Sequence, residues 1–76
     1  MGEKEIKYDR HARRRMKWRK ISQTEIEQTL KEPDKTEVTR EGRKNAFKAI
    51  GDRYIKVPYR ELEDEVLIIS VVDKSD

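Results

Sequence analysis

His11 is the only histidine of this 76-residue chain. Its imidazole is the one side-chain type whose ordinary pKa lies near neutrality. It stands in a run, DRHARRRMKWRKIS (Asp9 to Ser22), that also holds the only tryptophan, Trp18, and seven Lys or Arg residues. Further along come three more cations, Arg43, Lys56 and Arg60, with Tyr54 among them. These residue types could do acid–base and phosphate chemistry, and the metal-free cleavage of RNA is the case to set them against. There a base takes the 2′-hydroxyl proton, cations stabilise the pentacoordinate phosphate, and an acid protonates the leaving 5′-oxygen. His11 is the candidate base or acid. Arg43, Lys56 and Arg60 are the candidate phosphate clamp, and Tyr54 could stack on a base or donate a proton. Arg15, Arg19 and Lys48 are candidates for holding the nucleic-acid backbone. The same residues also fit a non-catalytic reading, in which cations meet phosphates, rings stack on bases, and nothing is cut. Both readings give RNA as the partner and require no cofactor or metal.

The elements that must position these residues are legible in outline. Asp9 is a candidate N-cap for a first helix running to about Trp18 or Arg19. On a helical wheel Tyr8, Ala12 and Met16 form a narrow apolar stripe, and Arg10, Arg13, Arg14 and Lys17 lie roughly opposite as a solvated face. Arg15 and Arg19 fall in or beside the stripe, where an arginine needs a partner, a route to solvent or a cleft. His11 and Trp18 flank the stripe, and Trp18 is expected as a lid over the edge of the core. A second helix follows in ISQTEIEQTLKEPD. Ser22 and Glu25 have capping-box spacing, and Ile21 and Ile26 occupy the positions of a hydrophobic staple. Ile26 and Leu30 should face the core, and Pro33 should end the helix. The short link between the two makes a helical hairpin.

After Pro33 the period changes. KTEVTR, RKNAFKAI, RYIKVPYR and VLIISVV read as four strands, with turns at Glu41-Gly42 and Gly51-Asp52 and an acidic connection, ELEDE. EIKY near the start is either a short strand or an extended lead-in. Pro58 marks an edge or a bulge. With Gly51-Asp52 as a two-residue turn, Lys48 opposes Ile55 and Ala46 opposes Val57. One face then carries Ala46, Ile50, Ile55, Val57 and Tyr59 and should take the helices. The other carries Arg43, Asn45, Phe47 and Ala49 against Arg60, Pro58, Lys56 and Tyr54. If so, His11 and the Arg43, Lys56 and Arg60 clamp fall on opposite sides of the sheet, and His11 drops to a structural role. The expected architecture is α+β, two N-terminal helices on a twisted antiparallel sheet of about four strands, in a single domain over residues 1–76 with 1–5 frayed.

Composition narrows the classes. Apolar residues make up 33% and charged residues 46%, so the core is lean, but the apolar residues cluster from Phe47 to Val72 as a folded domain requires. The absence of cysteine excludes disulfides and thiolate metal sites and fits a cytoplasmic protein. No stretch approaches the ~20 apolar residues of a membrane span, so no membrane partner is expected. Abundant Lys, Arg and Glu with little Gly resembles thermophile usage. Residues 1–20 carry a net +6 and the last sixteen a net −5. The basic end is either a polyanion site or is neutralised within the fold by the acidic one.

The pattern HARRRMKWRKIS, followed by NAFKAIGDRYIKVPYRE and EVLIISVVDK, resembles a family of small uncharacterised domains in the RelE/ParE toxin-like superfamily, with BrnT-type toxins as more distant relatives. The motif residues are His11, Ala12, Arg15, Met16, Arg19, Ile21 and Ser22, and the likeness runs from about Tyr8 to Lys74. It implies two helices on a twisted antiparallel sheet and a toxin of a toxin-antitoxin system. It further implies a metal-independent ribonuclease acting on mRNA, including ribosome-bound mRNA, or else a gyrase inhibitor, and a cognate antitoxin protein as partner. The chain departs from that pattern at Asn45, where a histidine is frequent, and in having no Tyr, His or Arg near its C-terminus.

Overall fold

The computed structural model describes residues 4–39 and 42–74. Two helices, α1 (Arg10–Arg19) and α2 (Gln23–Lys31), lie on one face of a mixed sheet. Its strands are β1 (Glu5–Tyr8), β2 (Lys35–Val38), β3 (Arg43–Ile50), β4 (Arg53–Glu61), β5 (Glu65–Ile68) and β6 (Val72–Asp73). The spatial order is β1-β5-β4-β3-β2, with β6 also paired to β4. The α+β class is as expected, but the sheet departs from four antiparallel strands in two ways.

First, EIKY is a strand. β1 runs parallel to β5, with Ile6 beside Val66 and Tyr8 beside Ile68. Of the segment expected to fray, residues 1–3 lie outside the described residues, while Lys4 Nζ donates to the Leu62 carbonyl at 2.7 Å. The Glu41-Gly42 turn lies partly outside them.

Second, VLIISVV is not one strand. Tyr59 pairs with Ile68 and Lys56 with Val72, so two residues of β4 face three of the partner. This is a bulge, and Pro58 is where it forms. The N–H groups of Ile69 and Ser70 both donate to the Pro58 carbonyl, at 2.9 and 3.4 Å. In an antiparallel strand a residue's N–H and C=O point the same way, so the donor that proline lacks faces the bulge and no ladder bond is lost to β3. Pro58 is therefore in a central strand, at a bulge.

The bulge also shifts the side-chain alternation. Ile68 and Val71, three apart, both reach the helix-facing core. There they meet Ala12, Ile21, Ile26, Ile55 and Val57, with Ile6, Tyr8, Met16, Leu30 and Tyr59 at the margin. The β3–β4 register is as read from the Gly51-Asp52 turn, with Ala46 opposite Val57 and Lys48 opposite Ile55. Gly51 takes a φ of +60° there, which its missing Cβ makes easy.

The helix ends follow local chemistry. The Ser22 hydroxyl accepts from the Glu25 N–H at 3.1 Å, and the Glu25 carboxylate accepts from the Ser22 N–H at 2.9 Å, completing the capping box. Ile21 and Ile26 are both buried. Asp9 is the N-cap of α1 by backbone only, with no side-chain hydrogen bond. At the other end Lys20 takes a left-handed φ of 57°, and the Ile21 N–H closes on the Met16 carbonyl at 2.9 Å. Arg53, at the start of β4, donates to the Lys20 carbonyl at 2.9 Å, which ties the link between the helices to the sheet. Among the described residues no helix is long and apolar enough to cross a membrane.

Candidate nucleic-acid interface

The helices divide the candidate residues into two surfaces. Ala12 fixes the orientation of α1, because it is fully buried against the sheet. At about 100° per residue, Arg19 and Met16 lie nearest that direction and both are half-buried. Trp18 lies about 120° away from Ala12 and is 72% exposed. The lid expected of Trp18 does not form, because the stripe that meets the sheet is too narrow to draw the ring in. His11, Arg14 and Arg15 share its exposed flank. The Arg19 guanidinium sits 5.5 Å from the centre of the Trp18 ring, a cation–π contact that orients the indole.

The exposed cations of α1, Arg10, Arg13, Arg14, Arg15 and Lys17, serve no visible role in the fold. The helix carries six Lys or Arg residues and no acid. Among the described residues Arg10, Arg13, Arg14, Arg15 and Lys17 make no ion pair. They repel one another at i, i+4 spacing (Arg10 with Arg14, Arg13 with Lys17), at about 0.2–0.5 kcal/mol per pair. The N-terminal ones also oppose the helix dipole. On its other flank α1 borders a shallow groove of about 480 Å³ lined by Tyr8, Arg13, Met16, Lys17, Ile21 and Gln23. The Tyr8 hydroxyl is buried there without a hydrogen bond. Burial, and then the charge of Glu27, pushes its pKa up, so it stays protonated at neutral pH.

The second surface is the sheet face away from the helices. Arg43 faces Arg60 directly and Phe47 faces Lys56. Lys56 lies four residues from Arg60, about 13 Å along β4. Tyr54 stacks on Phe47 with 5.9 Å between ring centroids, and Lys35 and Lys56 place their ammonium groups 5.4 and 6.0 Å from the Phe47 ring. These neighbours leave Phe47 only 7% exposed. Its ring is closed to a base, and Tyr54 is the aromatic that remains half-exposed.

The sheet therefore separates His11 from Arg43, Lys56 and Arg60, and the constellation of histidine base and arginine clamp is not assembled. Arg43 and Arg60 are brought together. His11 instead joins Arg14, Arg15 and Trp18, a grouping that the wheel contained but that treating Trp18 as core concealed. Lys48 belongs to neither surface. Its Nζ donates to the Glu32 carbonyl at 2.8 Å and lies 3.8 Å from Asp34, so it closes the C-terminal end of α2. The acidic end meets the basic one at Lys4, which pairs with Glu61, and leaves Arg10, Arg13, Arg14, Arg15 and Lys17 without an ion pair among the described residues. Glu61 is engaged by Lys44 at 2.8 Å and Lys4 at 3.2 Å, not by α1.

A family described as a domain of unknown function, DUF4258, matches residues 8–73. The chain belongs to the DUF4258 family. No curated protein sequence and no solved structure matches it. The span matched by DUF4258 takes in the whole of α1, both sheet surfaces and the Pro58 bulge, so the basic helix is part of the domain and not an appendage to it.

Proposed function

We propose that this DUF4258 domain binds single-stranded RNA through the exposed face of α1. The observation that carries the reading is a ten-residue helix with six cations and no acid, of which Arg10, Arg13, Arg14, Arg15 and Lys17 repel one another and make no ion pair among the described residues. A protein that retains such a helix gains from it outside the fold, and the partner that suits it is a polyanion. Trp18 adds what a phosphate site alone lacks. An exposed ring beside arginines offers a base a stacking platform, and stacking is available only where bases are unpaired.

The resemblance to RelE/ParE toxins supplies a second reading, a metal-independent ribonuclease acting on cytoplasmic mRNA, with an antitoxin as partner. The grouping of His11 with Arg14 and Arg15 favours it, since a titratable group then stands beside phosphate-binding cations. Against it stands the convex, water-washed surface of a helix, on which His11 is exposed and apart from the Arg43, Lys56 and Arg60 clamp. Binding is the better-supported function.

The test is titration of a labelled RNA oligonucleotide, single-stranded and then duplexed, with the same samples resolved for cleavage. Salt-sensitive binding that favours the single strand, with the RNA intact, supports the binding reading. Cleavage abolished by His11→Ala replaces it with the nuclease. No binding at low salt removes both.

A further inference from the structure

We infer that the basic face of α1 also receives the acidic β4–β5 turn of a second copy of this chain. The copies then join head to tail, in competition with RNA. The inference rests on the polyanion reading of α1 for the competition; the contact uses the same exposed face of α1 and adds the residues of the β4–β5 turn.

Three large apolar side chains are exposed among the described residues: Trp18, Val38 and Leu62. Trp18 is surrounded by cations. Leu62 lies in the sequence Glu61-Leu62-Glu63-Asp64-Glu65, surrounded by acids. Val38 lies at the same end of the sheet as Leu62, since it pairs with Lys44, which binds Glu61. Trp18 is thus an apolar side chain framed by cations and Leu62 one framed by acids, while the cations Lys4 and Lys44 at the Leu62 end are held on Glu61.

The turn is held ready for contact. The Leu62 N–H donates to the Glu65 carbonyl at 2.8 Å, and Lys4 Nζ donates to the Leu62 carbonyl at 2.7 Å. Lys4 and Lys44 occupy Glu61. Glu63 and Asp64 make no ion pair among the described residues and face solvent. A fixed backbone carrying unpaired acids and one apolar side chain loses little freedom on docking.

One molecule does not satisfy its own charges. The C-terminal end of α1 is tied to Arg53 through Lys20, and Glu61 is at the far end of β4. Eight residue steps of strand separate the two by about 26 Å. The N-terminal end of α1 lies nearer, since the Asp9 N–H donates to the Ile68 carbonyl at 3.0 Å and Ile68 pairs with Tyr59, yet neither Glu63 nor Asp64 makes an ion pair with α1 among the described residues. A second copy supplies the partner that the same molecule does not. Because the two patches differ, the contact is heterologous and continues as an open chain unless its rotation closes a ring. A single turn on a single helix buries less than the ~1,200 Å² of a stable complex. The association is therefore weak and dissolves in salt.

Sedimentation velocity of the full chain over a range of concentrations tests this. At low salt the average mass should rise steadily with concentration, and at ~1 M salt, where the Debye length is about 3 Å, it should return to that of the monomer. The double variant Glu63→Lys with Asp64→Lys should stay monomeric at low salt with an unchanged circular dichroism spectrum. It should also bind RNA more tightly than the wild type at concentrations where the wild type associates. Arg14→Glu with Arg15→Glu should be monomeric too, and all four substitutions together should restore association. A wild type that remains monomeric at low salt overturns the contact, as does association that the Glu63 and Asp64 substitutions leave unchanged. Salt-sensitive association without RNA binding supports the contact and overturns only the RNA reading.

Discussion

Ala12 and Trp18 stand on the same helix in opposite environments, the first fully buried against the sheet and the second exposed to solvent. That relationship sets the exposed face of α1, because it turns His11, Arg14 and Arg15 outward together with the indole. Replacing Trp18 with alanine should change stability by no more than about 0.5 kcal/mol, as for other surface substitutions. It should weaken binding to single-stranded RNA by about 1–3 kcal/mol, the range of one lost stacking platform. Chemical denaturation and fluorescence anisotropy measure the two effects separately. A large loss of stability would mean that the ring is part of the core.

Phe47 should behave in the opposite way. Its ring is buried under Tyr54, Lys35 and Lys56 on the outer sheet face. Phe47→Ala should cost about 3–5 kcal/mol, enough to unfold much of a small domain, whereas Tyr54→Ala should be mild. Thermal melts of the two variants compare them directly. Equal and small effects would show that the outer face is a simple solvated surface.

The β3–β4 register was legible in the sequence because a two-residue turn leaves the pairing no freedom. The capping box of α2 was legible because all its groups lie within four residues. What was not legible depended on distant neighbours. Pro58 signalled a bulge or an edge, and only the strand laid beside it decides which. VLIISVV reads as one strand, and no local pattern shows that a bulge moves Val71 onto the face of Ile68. β1 is four residues long, and its parallel pairing to β5 is set by chain closure over sixty residues that no local pattern encodes. The members of both candidate surfaces were visible, and their separation followed from the register. The exposure of Trp18 was not visible, since a residue 120° from the buried stripe falls on whichever side the helix tilt selects.

Lys20 holds a left-handed conformation with φ 57° at the end of α1. A residue with a Cβ pays about 1–2 kcal/mol there, and glycine does not, although glycine has more freedom to lose on folding. Lys20→Gly should therefore stabilise the domain by about 0.5–1 kcal/mol, seen as a rise in the denaturation midpoint. No gain would mean that the Lys20 side chain contributes packing of equal size.

Glu61 should give stability a measurable acid dependence. Hydrogen bonds from Lys44, and then from Lys4, hold its carboxyl below the usual 4.5. Folding therefore favours the ionised form. That contribution is complete above 4.5 and is lost as pH falls through the lower folded-state value. Lys44 is the mirror case. Its hydrogen bond to Glu61 raises it above 10.5, so its contribution is complete below 10.5 and lost as pH rises through the folded-state value. Both groups are exposed and the effect is small. The difference in Tm between wild type and Glu61→Gln should be constant near neutrality and shrink toward zero in acid. A difference that does not change with acid pH would contradict the pairing.

The most direct measurement of the central claim is the salt dependence of RNA binding by wild type and by Arg14→Ala with Arg15→Ala. For a single strand each phosphate contact contributes about 0.7 to the slope of log K against log salt. The double variant should keep its fold and lose about 1.4 from that slope, while Arg43→Ala on the opposite face leaves it unchanged. A slope insensitive to Arg14 and Arg15 but reduced by Arg43→Ala would move the interface to the sheet and contradict the account.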